Sequence, residues 1–360
     1  MTIVDAVAEP LPRAVIDLTA LRHNVAHLTD LIAPAETMLA VKADAYGHGL
    51  LPVAEAGLAA GATSLAVLEI PAGLVLRSAG ITVPLLAWLH GRDTDWRAGI
   101  EADIELGISA RWQLEAIAAA GADRSAVVHL KVDTGLSRNG ATREEWPGLV
   151  QAALDLERNG VVRIRAAWSH LADASMADDE AALAEFREAV AEAEALGARF
   201  EALHLAASSA GIRMPEARFS FVRFGIAAYG FSPFDDSTGA ELGLIPVMRL
   251  EAPVTEVHVG GTTHARLGIG YGDGVPTLGI AKTSVQLGGR RCPVIDVFAN
   301  SMLVDAGPHR VEVGDTAILF GPGTDGEPTA EKYADWAETI ADEMVTGVAA
   351  RVPRVYVNVE

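Results

Sequence analysis

The chain has 360 residues, half of them hydrophobic, with 28 Lys and Arg against 48 Asp and Glu and a formal net charge of −20. That length favours two domains over one core, and so acidic a surface repels phosphate backbones, which excludes nucleic acid as a partner. No uninterrupted apolar run reaches the roughly 18 residues of a membrane span, Met1–Arg13 carries Asp5 and Glu9 in place of a basic secretory start, and the single cysteine, Cys292, precludes an intrachain disulfide framework and suits a cytoplasmic setting.

In chain order, Met38–Ala43 reads as a buried strand and Leu50–Gly61 as a helix closed by its glycine. Ser64–Leu68 follows as a strand and Pro71–Gly80 as a helix with proline in its first turn. Val83–Leu89 and Ala102–Leu106 read as strands and Ala110–Gly121 as a helix. Ala126–Asp133 is a strand, Glu144–Gly160 holds a helix, Val162–His170 is a strand, and Asp179–Gly197 has the helical period. Phe200–Ala206 and Phe219–Gly225 close the series. Strand followed by helix, repeated with apolar strands, implies a parallel sheet covered by helices. With about eight such strands, a (β/α)8 TIM barrel is the expected α/β architecture. A doubly wound sheet is the alternative, although no G-x-G-x-x-G opens the first helix.

After about Leu242 the texture changes to short β-rich runs separated by Gly and Pro, with a helical period returning only in Thr329–Met344. The expected division is a barrel over 13–240 and a mostly-β domain over 241–360, with residues 1–12 packing against the latter.

Lys42 lies in A-V-K-A-D-A-Y-G-H-G (Ala40–Gly49), at the C-terminal end of the first strand of the series. Barrels build their sites at that face, and a desolvated lysine there can act as a nucleophile. By position alone, a lysine that simply extends to solvent is the commoner outcome. The ten histidines show no metal-ligand spacing such as H-E-x-x-H, so no metal is expected. Cys292 follows two arginines and reads as a structural or incidental thiol.

The string around Lys42 resembles the pyridoxal-phosphate (PLP) lysine signature of the alanine racemase family. Further strings follow in that family's order: H-L-K-V-D-T-G-L-S-R-N-G (His129–Gly140), W-S-H-L (Trp168–Leu171), H-L-A-A-S-S-A (His204–Ala210), V-R-F-G-I-A-A-Y-G (Val222–Gly230), G-I-G-Y-G-D-G (Gly268–Gly274) and A-R-V-P-R-V-Y (Ala350–Tyr356). The resemblance spans nearly the whole chain. It implies a barrel followed by a β domain, a PLP-dependent isomerase acting on alanine or a related small amino acid, and a homodimer with shared active sites.

By the same resemblance Lys42 carries the cofactor and serves as one base, and Tyr271 is the second base, supplied by the other subunit. Inverting a stereocentre needs proton removal on one face and return on the other, so two bases must flank a planar carbon. His170 orients and tunes Tyr271. Arg223 faces the pyridine nitrogen and disfavours its protonation, supported by His204. Tyr46, Ser208 and the backbone N–H groups of Gly225 and Ile226 hold the phosphate. Arg138 contacts the substrate carboxylate, and Lys131 matches a lysine carbamylated in some members. Outside that context each has a plainer role: Ser208 as a helix cap, Arg223 in a surface ion pair, Tyr271 as a packing residue.

The chain also departs from the family. Ala207 stands where racemases often carry Asn, Ala299-Asn300 where they carry Met-Asp, and Thr277 where they carry Arg. Ala350 falls where some members place a phosphate-binding tyrosine. Alanine and asparagine at 299 and 300 imply a substrate pocket enlarged and stripped of one negative charge. Two other readings share the fold: a PLP enzyme with different substrate or chemistry (decarboxylase-like, aldolase-like or a racemase of specialised metabolism), and a non-catalytic PLP-binding protein. Retention of Tyr271 and of the β-rich last third favours the racemase.

Overall fold

The apolar runs between residues 36 and 224 become eight short parallel strands in the computed structural model of the chain, which describes residues 11–359. The expectation for residues 1–12 lies almost wholly outside that range. The chain runs β1 (Arg13–Asp17), α1 (Leu18–Ile32), β2 (Glu36–Ala40), α2 (Lys42–Tyr46), α3 (Leu50–Ala59), β3 (Ser64–Val67), α4 (Ile70–Ser78), β4 (Leu85–Ala87), α5 (Trp96–Glu101), β5 (Glu105–Ile108) and α6 (Arg111–Ala119). It continues through β6 (Ala126–Lys131), α7 (Trp146–Arg158), β7 (Val162–Trp168), α8 (Met176–Ala195), β8 (Ala202–His204), α9 (Ser208–Arg213) and β9 (Phe221–Phe224).

Strands β2 to β9 form one sheet in the order β8-β7-β6-β5-β4-β3-β2-β9. Its two ends meet. The Ser220 N–H donates to the Leu203 carbonyl (3.0 Å) and the Arg223 N–H to that of Ala206 (3.1 Å), so the sheet is a nearly closed barrel and the doubly wound alternative is discarded. Every residue of β3, β4 and β5 is buried, as expected of strands covered by side chains inside and helices outside.

The second sheet is built from β10 (Met248–Val259), β11 (Thr263–Leu267), β12 (Ser284–Leu287), β13 (Arg290–Val297), β14 (Met302–Gly307), β15 (Thr316–Phe320) and β16 (Arg354–Val357). Strand β1 joins it, antiparallel to β10 and parallel to β16. Arg13–Asp17, counted with the barrel in the sequence, therefore pairs with the β domain. Its alternating burial is that of a half-exposed strand rather than a barrel stave. Asp17 then caps α1 by accepting from the N–H groups of Thr19 (2.8 Å) and Ala20 (3.2 Å).

Of the boundaries that differ from expectation, three bear most on the architecture. The predicted strand Ala102–Leu106 runs instead as β5, because Ala102 closes α5, a helix capped by Asp95. Thr329–Met344 is two helices, α10 (Ala330–Ala337) and α11 (Ala341–Thr346), split where Glu338 turns left-handed at φ +55°.

The third difference matters most for the site. The first barrel strand stops at Ala40, and Lys42 opens α2, in which Ala43, Asp44, Ala45 and Tyr46 all have φ between +51° and +55°. Left-handed helical backbone costs non-glycine residues roughly 1–2 kcal/mol each, so the surroundings must hold it. The His48 ring Nδ1 bonds the carbonyls of Ala45 (3.0 Å) and Tyr46 (2.9 Å), and the Asp44 carboxylate accepts from the Leu50 N–H (2.7 Å). The Arg354 guanidinium, on the last strand of the β domain, donates to the Gly47 carbonyl (2.9 Å). A Cβ on Gly47 would come within 2.6 Å of the Val345 carbonyl, and one on Gly49 within 2.0 Å of the Tyr356 hydroxyl. The turn that carries Lys42 is thus clamped between barrel and β domain.

Candidate active site

The C-terminal ends of the barrel strands surround a cavity of about 540 Å³. Lys42 enters it from the left-handed turn, with Tyr46 one turn on; Lys131 comes from the end of β6, Arg138 from the loop beyond, and His170 from the end of β7. Ser208, Arg223, Gly225 and Ile226 line the wall beside Lys42 and Tyr46, since β9 pairs with β2. His204 stands behind Arg223, fully buried.

Tyr271, Ala299 and Asn300 are not brought to this cavity within the chain. They form a separate surface of the β domain, where the Tyr271 N–H donates to the Phe298 carbonyl and the Gly272 N–H to that of Ala299, both at 2.9 Å. Arg351 ties this surface together by donating to Asp273 (2.7 Å) and to the Asn300 side-chain oxygen (2.8 Å). A Cβ on Gly270 would sit 2.1 Å from the Phe298 carbonyl, so only glycine lets the two loops close there. Tyr271 itself is 55% exposed, an unusual fate for a tyrosine fixed on so ordered a turn. Of the family departures, Ala207 lines the cavity, and Ala350 is exposed and outside it.

Lys42 makes no ion pair among the described residues; its amine lies 5.2 Å from the centre of the Tyr46 ring. Burial pulls its pKa below the ordinary value, Asp342 opposes that pull, and Arg138 adds to it. Lys131 is pushed down to about 7 by burial and by the charges of Arg223 and Arg138, with its amine over the Trp168 ring at 4.4 Å. Burial alone brings Arg223 to about 9, so it remains a cation at neutral pH.

Arg223 is held from three sides. One terminal nitrogen donates to His204 Nδ1 (3.0 Å), and the other to the carbonyls of Ser169 (2.9 Å) and Leu205 (2.8 Å) and to His170 Nδ1 (3.1 Å). Burial and the charges of Arg223, Lys131, Arg138 and Lys42 keep His170 well below its ordinary pKa. The ring is therefore neutral, and since Nδ1 accepts, the proton is on Nε2 and free to be donated.

One cavity residue escapes a motif-based reading. Asp342, in the first turn of α11, lines the cavity. Burial raises its pKa and the Lys42 charge lowers it. In sequence, an acid in the first turn of a helix reads as a dipole partner. Its place here follows from the packing of α11 against the left-handed turn, which no local pattern encodes.

A cavity with convergent cations, a lysine of lowered pKa and a fixed guanidinium suits an anionic cofactor joined through an amine. The Ser208 hydroxyl accepts from the Gly225 N–H (3.1 Å), and a Cβ on Gly225 would come within 2.3 Å of the Tyr46 hydroxyl. Glycine thus leaves room for a close approach where Tyr46, Ser208 and the start of a one-turn helix at Ile226 converge, the kind of cradle that takes a phosphate. Among the described residues no cluster of metal-ligating side chains occurs, and no helix is long and apolar enough to cross a membrane.

The model of the N-terminal domain of alanine racemase matches residues 16–233, and that of the C-terminal domain matches residues 253–356. An alanine racemase of Beutenbergia cavernae is 41% identical over 374 residues, covering 96% of this chain and 98% of the relative. One of Streptomyces coelicolor is 42% identical over 382 residues, covering 98% of each. Among solved structures, the alanine racemase from Streptomyces coelicolor A3(2) superposes with a TM-score of 0.93 at 41% identity, over 97% of this chain and 98% of that one. The alanine racemase from D-cycloserine producing Streptomyces lavendulae also gives 0.93, at 36% identity over 98% of each chain.

Proposed function

The chain belongs to the alanine racemase family, and on that premise we propose that it interconverts L- and D-alanine with PLP, using Lys42 and a partner's Tyr271 as the two bases. The observation that carries the reading is the pairing of a half-buried lysine in the cavity, without an ion pair among the described residues, with an exposed tyrosine, fixed on an ordered turn, outside it. A monomer leaves the cavity with one base. A second copy, docking its Tyr271 surface at the cavity mouth, supplies the other, and this supports a homodimer. A buried, free Cys292 agrees with a cytoplasmic setting.

When bound, PLP supplies an electron sink that acidifies the substrate's α-hydrogen. The chain's residues do the rest. Lys42, whose pKa burial lowers, takes or returns the α-proton on one face. Tyr271 does so on the other, where a hydrogen bond from the Nε2–H of His170 to its oxygen would favour the phenolate. Arg223 can only donate, so a ring nitrogen facing it gains no proton. Tyr46, Ser208 and the Ile226 N–H hold the phosphate, and Arg138 takes the substrate carboxylate. Lys131, about half of it neutral at pH 7, is partly in the state in which an amine adds carbon dioxide, and a carbamate there would give Arg138 an anionic partner. A carbamate signal from labelled bicarbonate, lost in Lys131→Gln, is expected by NMR; its absence from the wild type removes this assignment.

Asp342 bears on cofactor retention. Its carboxylate works against the phosphate and, by raising the Lys42 pKa, against the free amine. Asp342→Asn is expected to tighten PLP binding by about three- to tenfold at pH 8. Because the carboxyl pKa is raised, the charge is lost as pH falls, so the difference should shrink toward acid pH. Equal affinities at pH 8, followed by absorbance titration, would contradict this.

A further inference from the structure

Arg223 is the last link of a longer chain of buried hydrogen bonds that crosses the barrel interior. His204 Nε2 lies 2.9 Å from His129 Nδ1, and His129 Nε2 lies 2.8 Å from Glu105 Oε2. The other oxygen of Glu105 is ion-paired with Arg165. Glu105 opens β5 at the N-terminal end of the barrel, whereas Arg223 lines the cavity at the other end. Both histidine rings are fully buried, and Glu105 and Arg223 nearly so.

The direction of this chain is forced. A guanidinium has only donors, so His204 Nδ1 must accept from Arg223. A neutral His204 then carries its proton on Nε2 and donates to His129 Nδ1. His129 in turn carries its proton on Nε2 and donates to Glu105. The opposite direction would set a donor on His204 against a donor on Arg223. Burial holds both histidines below their ordinary pKa. Burial pushes the Glu105 carboxyl up, but the His129 bond and the Arg165 charge outweigh it. The chain therefore runs from a cation, through two neutral rings in single tautomers, to a carboxylate. Trp168 stacks on His204 at 5.3 Å and 12° and keeps the middle ring from turning.

We propose that Glu105 is a positioning residue for the reaction: through His129 and His204 it fixes the guanidinium of Arg223 in one orientation toward the cofactor ring. Local contacts hold the other terminal nitrogen of Arg223, but the His204 bond needs Nδ1 unprotonated, a tautomer that the carboxylate of Glu105 secures from the far end of the chain. An amide at 105 can present its NH2 to His129 and reverse the whole chain, leaving Arg223 facing a donor.

What Arg223 faces rests on the racemase reading; the tautomers do not. The test is therefore double. Nitrogen NMR of histidine-labelled wild type is expected to show His129 and His204 both neutral and protonated on Nε2, unchanged between pH 6 and 9. Assignment uses His129→Gln and His204→Gln. Glu105→Gln is expected to shift the His129 tautomer and to lower kcat by about tenfold with KM changed less than twofold, while Glu105→Asp restores the wild-type tautomer and part of kcat. A wild-type His129 protonated on Nδ1, or a Glu105→Gln enzyme with wild-type kcat, would overturn the proposal. Should Glu105→Gln fail to fold, the wild-type tautomers still decide it.

Discussion

Lys42→Ala is expected to lose racemisation by on the order of 10³-fold or more, and with it the covalent retention of the cofactor. Two effects combine. The substitution removes the amine that joins PLP to the chain, and it removes the base on one face of the substrate. Because Lys42 pairs with no acid among the described residues and stands on a turn clamped by His48, Asp44 and Arg354, losing its side chain should leave the fold intact. The thermal midpoint without cofactor should therefore match the wild type. Borohydride reduction followed by peptide mapping should attach the cofactor to Lys42 in the wild type and to no residue in the variant. A Lys42→Ala enzyme that still racemises alanine at a wild-type rate would remove Lys42 from the mechanism.

Tyr271→Phe should cost about 10²–10⁴-fold in racemisation in both directions, the range of a lost general acid–base group, while cofactor binding is retained. The loss should have a particular character. Lys42 can still remove and return the α-proton on its own face, so one enantiomer should exchange its α-hydrogen with deuterated solvent without inversion. The other enantiomer should not exchange. Tyr271 is 55% exposed, so truncating its hydroxyl disturbs no packing within a protomer. Loss of exchange from both enantiomers alike would mean that Tyr271 does not act as a base on one face.

Much of this was legible in the sequence, and the failures have physical causes. The barrel strands are short apolar runs, and their periodicity located all eight, because parallel strands buried on both faces tolerate little else. The position of Lys42 just past the C-terminal end of the first barrel strand is legible in the sequence. Its left-handed turn was invisible, since A-D-A-Y carries no glycine to announce positive φ, and the conformation is imposed by His48, Gly47 and the β domain. β1 reads with the barrel in the sequence because strand pairing across 200 or more residues leaves no local trace; Ala14 lies opposite Leu250 and Arg354. Glu105, His129 and Asp342 went unnoticed for the same reason. Each is unremarkable in its own segment and acquires meaning only from what β6, β8 or α2 brings against it. Tyr271 was legible only through its motif context, and a single chain does not bring it to Lys42.

The claim that one active site draws its two bases from two protomers can be tested by mixing the two inactive variants. Lys42→Ala and Tyr271→Phe proteins, unfolded together and refolded in equal amounts, should form hybrid dimers in which one site is wholly wild type, restoring about a quarter of wild-type activity. The double variant Lys42→Ala/Tyr271→Phe, refolded with wild type, should give hybrids with no intact site. No recovery in the first mixture, at a dimer yield equal to that of the wild type, would contradict the shared site.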